Sequence, residues 1–169
     1  SDIPIFPTGF FNAVEPGATG NAGNMTIKTP QLTVSGASLI QTSTSGIGDG
    51  GDLNINTDKL SISNGSQVST GTFADGDGGD LIVSATEFVE ITGSDTAPPI
   101  TGLFSNAFID STGNTGNLEI TTPQLSLFQG SQISVTTFGS GNAEDLTAKV
   151  ENLTIRDGSQ IATASFAGG

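Results

Sequence analysis

Apolar residues in this chain come in short alternating runs, and the runs return at fixed offsets from a glycine-rich tag. The tag G-[N/D]-x-[G/E]-[N/D]-[L/M]-x-[apolar] opens at Gly20, Gly48, Gly76, Gly113 and Gly141, with spacings of 28, 28, 37 and 28 residues. Self-similarity at such a period is what stacked supersecondary units leave in a sequence. Five residues after each opening glycine stand Met25, Leu53, Leu81, Leu118 and Leu146. Two positions further stand Ile27, Ile55, Val83, Ile120 and Ala148. A period of two marks a strand with one buried face.

A second run follows a Thr/Pro/Asp corner, with Leu32, Leu60, Leu125 and Leu153, then Val34, Ile62, Leu127 and Ile155. In the third unit Phe88 and Ile91 take these positions, and an extra residue there predicts a bulge. A third run carries Ile40, Val68, Ile133 and Ile161 and is preceded by Gly-Ser-Gln turns at Gly65, Gly130 and Gly158. Phe73, Phe138 and Phe166 close the coil. The expectation is all-β: a parallel β-helix of five to six coils, three short strands per 28-residue coil, wound right-handed by the crossover rule. The chain reads as one such segment, residues 1–169, with a partial coil over 1–19, and as a fragment of a longer repeat protein.

A longer period overlies the short one. Moving by 93 residues maps Thr8-Gly9 onto Thr101-Gly102, Phe11 onto Phe104, and Thr29-Pro30-Gln31-Leu32 onto Thr122-Pro123-Gln124-Leu125. The surplus falls near Pro98-Pro99, and proline cannot donate to a ladder, so residues 94–104 are expected to leave the wall as a surface loop.

Composition narrows the function. Of 169 residues, 24 are glycine and 34% are hydrophobic, so the core must be built from few, well-placed side chains. Four Lys plus Arg against 17 Asp plus Glu leave a formal charge of −13, which repels phosphate backbones and anionic lipid. Neither nucleic acid nor membrane insertion is expected, and no apolar stretch nears the ~18 residues of a spanning helix. Without cysteine there are no disulfides and no thiolate sites. The opening Ser1-Asp2-Ile3-Pro4 shows no basic-then-apolar leader.

Three chemistries are weighed. Stacking sets Asp49 beside Asp77 and Asp52 beside Asp80 at about one strand spacing, where like charges repel. A calcium site among Asp49, Asp52, Asp75, Asp77 and Asp80 would relieve this; Asp75-Gly76-Asp77-Gly78-Gly79-Asp80 resembles calcium-binding nonapeptide arrays without their tandem nine-residue spacing. The alternative is turn carboxylates capping backbone N–H groups. Thr42 and Thr44, Thr70 and Thr72, then Thr163 and Ser165 form a T-x-T array, which as an outward face would be similar to ice-binding solenoids. A carbohydrate-active β-helix would need paired carboxylates or clustered cations, yet Arg156 is the only arginine and Lys28, Lys59 and Lys149 lie in separate coils. Trp and Tyr, the usual sugar-stacking residues, are absent.

The repeats G-N-A-G-N-M-T-I from Gly20, D-G-S-Q-I from Asp157 and S-T-G-T-F from Ser69 resemble those of filamentous-haemagglutinin-type exoproteins, the secreted partners of bacterial two-partner secretion systems. The likeness runs over nearly the whole chain from Thr8. It implies a β-helical shaft, export to the cell surface or extracellular matrix, and a structural or adhesive role without catalysis. Contacts to cell-surface glycans and self-association of shafts, end to end or lateral, would then be its interactions.

Overall fold

A computed structural model describes residues 8–94 and 100–166. A partial coil ends in β1 (Gly9–Val14), and the first full coil, stacked on it, holds β2 (Met25–Lys28), β3 (Gln31–Val34) and β4 (Leu39–Thr44). Four longer units follow: β5 (Leu53–Ser63) with β6 (Gln67–Thr72), β7 (Leu81–Thr92) with β8 (Gly102–Ala107), β9 (Leu118–Phe128) with β10 (Gln132–Thr137), and β11 (Leu146–Ile155) with β12 (Gln160–Ser165). All pairing is parallel, in two stacks of order β1-β4-β6-β8-β10-β12 and β2-β5-β7-β9-β11, with β3 also on β5. The described residues contain no helix. This is a β-solenoid of about five turns, with the tag opening each turn.

The register is the one the columns require. Met25 pairs with Leu53, Leu53 with Leu81, Leu81 with Leu118 and Leu118 with Leu146. Leu53, Leu81 and Leu118 are fully buried, as are Leu60, Ile62, Leu125 and Leu127 in the following columns. Each such side chain contributes about 1.5–3 kcal/mol, but only when a coil lies on both sides of it.

The first full coil keeps the three expected strands apart, and in the four later coils the first two run together. The first two strands are continuous in β5, β7, β9 and β11 and bend at the Thr corner; only in the first coil does Pro30 separate β2 from β3. At the bend the Thr57 hydroxyl bonds the carbonyl of Lys59 at 3.0 Å, and Thr29 and Thr122 bond the carbonyls of Gln31 and Gln124 in the same way. Pairing to β7 and to β11 skips Pro123, so no ladder bond is asked of its missing N–H.

The bulge in the third unit is present, but it moves a different residue inside. Lys59 pairs with Phe88 and Leu60 with Val89, so Val89 is buried in the aliphatic column and Phe88 faces outward. One inserted residue flips every following side chain to the other face. The 94–104 excursion is also shorter than expected. Gly102–Ala107 is β8, held between β6 and β10, and Leu103 and Phe104 are buried. Of the nine surplus residues, one makes the bulge, six lie between Thr92 and Gly102, and two lie between Ala107 and Gly113. The Pro98-Pro99 part of the predicted loop falls outside the described residues, as do residues 1–7 of the partial coil.

The turn before the short strand is fixed by two consecutive left-handed residues, Asn64 (φ 54) and Gly65 (φ 76), closed by Ser66 N–H on the Ser63 carbonyl at 3.2 Å. Gln129-Gly130 and Asp157-Gly158 repeat it, and positive φ at both central positions makes these type I′ turns.

Candidate functional site

Three surfaces carry side-chain chemistry: the tag corner, the interior of the short-strand sheet, and that sheet's outer face. At the tag corner two files of Asn and Asp run along the solenoid, and each side chain accepts the backbone N–H of its counterpart one coil on. In the first file Asn21 accepts from Asp49 at 3.0 Å, Asp49 from Asp77 at 3.1 Å, Asp77 from Asn114 at 2.7 Å and Asn114 from Asn142 at 2.8 Å. In the second, Asn24 accepts from Asp52, Asp52 from Asp80, Asp80 from Asn117 and Asn117 from Asp145, at 2.8–3.2 Å. The glycines beside them let the corners approach: a Cβ on Gly79 would stand 2.2 Å from the Gly51 carbonyl oxygen.

This arrangement decides what the aspartates can hold. Asp49 and Asp77 share one file, Asp52 and Asp80 the other, and Asp75 stands apart, accepting the Thr112 hydroxyl at 2.8 Å. Among the described residues no three acidic side chains converge. Calcium takes six to eight oxygens, whereas here one oxygen each of Asp49, Asp52, Asp77 and Asp80 is engaged by a backbone N–H. The five residues offer no ready oxygen cage and fit the capping alternative better. A melting temperature that rose with millimolar calcium and fell with chelator would argue for a metal nonetheless.

The T-x-T array points inward, opposite to an ice-binding face. Thr42, Thr44, Thr70 and Thr72 are buried, in register with Ser105 and Val135 or with Ala107 and Thr137. Thr44 and Thr72 donate to the carbonyls of Gly48 and Gly76 at 2.5 Å, and Ser105 donates to the Gly116 carbonyl at 2.7 Å. The hydroxyls of Thr42, Thr70 and Thr137 are buried without a partner among the described residues. Val135, which interrupts the array in sequence, marks this column as an interior one.

The outer face of the same sheet holds a groove of about 370 Å³ across β4, β6 and β8. Its bed is β6, where the outward positions are Ser69 and Gly71. A Cβ at Gly71 would meet the Asn106 carbonyl at 2.5 Å. The β8 side contributes Ile100, Phe104, Asn106 and Phe108, the β4 side Leu39 and Gln41, and Gln67 lies on β6 itself next to Ile100. The Phe104 ring lies over Gly102, where β6 and β10 carry glutamine. Phe108 stacks on Phe73 with centroids 4.0 Å apart and planes 4° from parallel. Phe138 and Phe166 stack likewise at 5.1 Å.

Sequence reasoning missed this groove because it placed Phe104 in a loop. The signal was there in the short-strand pattern: Leu103, Ser105 and Ala107 repeat the inward alternation of Val68, Thr70 and Thr72 and are followed by Phe108, as those are by Phe73. The cations form no constellation. Lys59 pairs with Glu87 at 3.2 Å and Lys149 with Glu119 at 2.6 Å, both on the surface, where such pairs are worth little. No helix among the described residues is long and apolar enough to cross a membrane. Compared with known proteins, the chain matches no family model, no curated protein and no solved structure.

Proposed function

We propose that the chain is a structural and adhesive shaft segment of a secreted bacterial cell-surface or extracellular-matrix protein of the filamentous-haemagglutinin type, and that it is not an enzyme. The observation that carries this reading is the coil-over-coil register, in which each aliphatic column and each Asn/Asp file continues from one turn to the next. Such a stack extends by adding turns, and its length grows by about 4.8 Å per turn at constant cross-section. That is the geometry of a spacer, with binding distributed along the outside. The strong negative charge keeps neighbouring shafts soluble and leaves nucleic acid out as a partner.

Two contacts belong to the same reading. Among the described residues β1, β2 and β3 at one end and β11 and β12 at the other are the edges of their stacks, and wherever such an edge is open it favours end-to-end association, since exposed ladders recruit further strands. Weak repeated contacts to cell-surface glycans would add through effective concentration. A tandem of two copies tests the shaft: small-angle scattering should give a rod of doubled length and unchanged cross-section. A compact particle, or two bodies moving independently, would refute it. A glycan array tests the adhesive half.

A further inference from the structure

We infer that the groove across the outer face of β4, β6 and β8 binds a neutral saccharide, one sugar ring resting against Phe108 and the small exposed rim of Phe104 with its hydroxyls turned to the amides of Gln41 and Asn106. The inference rests on the adhesive half of the proposed function and assigns it a place and a ligand class.

Shape comes first. In the second coil the outward residues of β6 are small, Ser69 and then Gly71, and a side chain at Gly71 is excluded by the Asn106 carbonyl. The third coil raises a wall beside this bed, because Gly102 lets the Phe104 ring lie down and the stacked Phe73–Phe108 pair fixes the next ring. The resulting volume of about 370 Å³ falls in the range of small-ligand sites, which are mostly apolar with a few placed polar groups.

The chemistry selects the class. Among the described residues, no hydrogen bond holds the side-chain amide of Gln41 or Asn106, so each keeps two donors and an acceptor for a ligand. Gln67, also in the lining, donates to the Ile100 carbonyl at 2.8 Å, and its amide oxygen accepts no hydrogen bond among the described residues. Vicinal hydroxyls satisfy such amides, and the C–H face of a sugar ring satisfies an aromatic wall. Charge complementarity excludes the other candidates. Among the described residues no charged side chain lines the groove, so an acidic sugar finds no cation and a basic peptide no carboxylate among them. The field of a chain at −13 also repels anionic glycans. A plain apolar ligand would leave the Gln41 and Asn106 amides desolvated and unpaired, which costs free energy.

Placement fits a shaft. Phe11 occupies the position of Phe104 one super-repeat earlier, 93 residues back, following Gly9 as Phe104 follows Gly102. A shaft that continues this period would present one such ring every third coil, which is the spacing multivalent weak binding exploits.

The test is nuclear magnetic resonance on the 169-residue chain, titrated separately with cellotriose, chitotriose and maltotriose as neutral probes and trigalacturonate as the acidic one. The expected result is that at least one neutral trisaccharide shifts amide signals confined to β4, β6 and β8, and that trigalacturonate does not. Gln41→Ala with Asn106→Ala should weaken that binding by roughly tenfold or more. Both side chains are partly exposed and unbonded, so the melting temperature should hold. Ser69→Phe, which fills the bed, should abolish binding independently. Silence with all three neutral sugars, shifts mapping elsewhere, or equal binding of trigalacturonate would overturn the proposal. Array binding that survives all of these substitutions would overturn the groove while leaving the adhesive shaft standing. Loss of the doubled rod in the tandem, with groove shifts retained, would do the reverse.

Discussion

β9 and β11 pair in register, and their inward residues are of one kind, yet they live in different environments. Leu125 and Leu127 have no exposed surface, while their partners Leu153 and Ile155 are 49% and 41% exposed. The chain is doing the same thing in both coils. What differs is the neighbour: β9 lies between β7 and β11, and β11 is covered on one side. Burial in this fold is therefore a property of adjacent pairs of coils, not of any coil, and stability approximates a sum of interfaces.

The sharpest way to break that comparison is to truncate the same residue type at the two places. Leu81→Ala, in the middle of the stack, should cost about 2–5 kcal/mol, since it removes a fully buried side chain and leaves a cavity that coils on either side hold open. Leu153→Ala should cost no more than about 1 kcal/mol, because half of that side chain is already in water. Denaturant midpoints would measure both. Equal costs would mean that the last coil is packed by something other than its one neighbour.

A glycine pair sharpens the contrast at the corner. A Cβ on Gly79 would press on the Gly51 carbonyl at 2.2 Å, whereas Gly23, at the same tag position in the first coil, has nothing within 4 Å. Gly79→Ala should then destabilise by about 1–3 kcal/mol through overpacking, and Gly23→Ala should fall within about 0.5 kcal/mol of the parent. The repeated tag glycine is thereby a statement about the coil beneath it.

These contrasts show what the sequence made legible. The aliphatic columns were readable because a period of two with Leu or Ile has only one sensible face. So were the Asn and Asp files, since a short polar side chain beside glycine is suited to cap a neighbour's N–H. Threonine was not readable, because it suits a solvated strand face and an interior hydrogen-bonded one about equally. Two signs of an interior were present all the same: the period of two that runs inward from Ile40 and Val68, and Val135 in the same column as Thr42 and Thr70. The Phe88/Val89 choice failed because one inserted residue reverses the faces, and its exact site in the bulge is set by the neighbouring coils. The groove was hidden because its wall comes from β8, which is not preceded by the Gly-Ser-Gln that marks β6, β10 and β12.

The threonine column offers a smaller test. Thr70 is buried with a hydroxyl that no group answers, and Thr72, two residues on, donates to the Gly76 carbonyl. Thr70→Val removes an unpaired polar atom at nearly constant shape and should stabilise by about 1 kcal/mol. Thr72→Val breaks a bond and leaves that carbonyl short of a donor, so it should destabilise by a similar amount. Opposite signs in two thermal melts would support the interior assignment, and a water ordered against Thr70 would explain equal signs by contradicting its solitude.

The smallest effect separates hydrogen bonding from charge in the Asn/Asp files. Asp77 accepts the Asn114 N–H at 2.7 Å and lies one strand spacing, ~4.8 Å, from Asp49 in the same file. Asp77→Ala removes the acceptor and should cost about 0.5–1.5 kcal/mol, while Asn142→Ala, whose side chain accepts no N–H among the described residues, should cost almost nothing in this 169-residue chain. Asp77→Asn keeps the acceptor and removes a like charge beside Asp49, so its melting temperature should equal or exceed the parent's. Repulsion between these exposed carboxylates is at most about 1 kcal/mol in water and is screened by salt. The gain should therefore be visible at low ionic strength and vanish near 0.5 M salt. A loss of stability in Asp77→Asn that persists in high salt would mean that the file depends on the carboxylate itself, and would bring a bound cation back into the account of this corner.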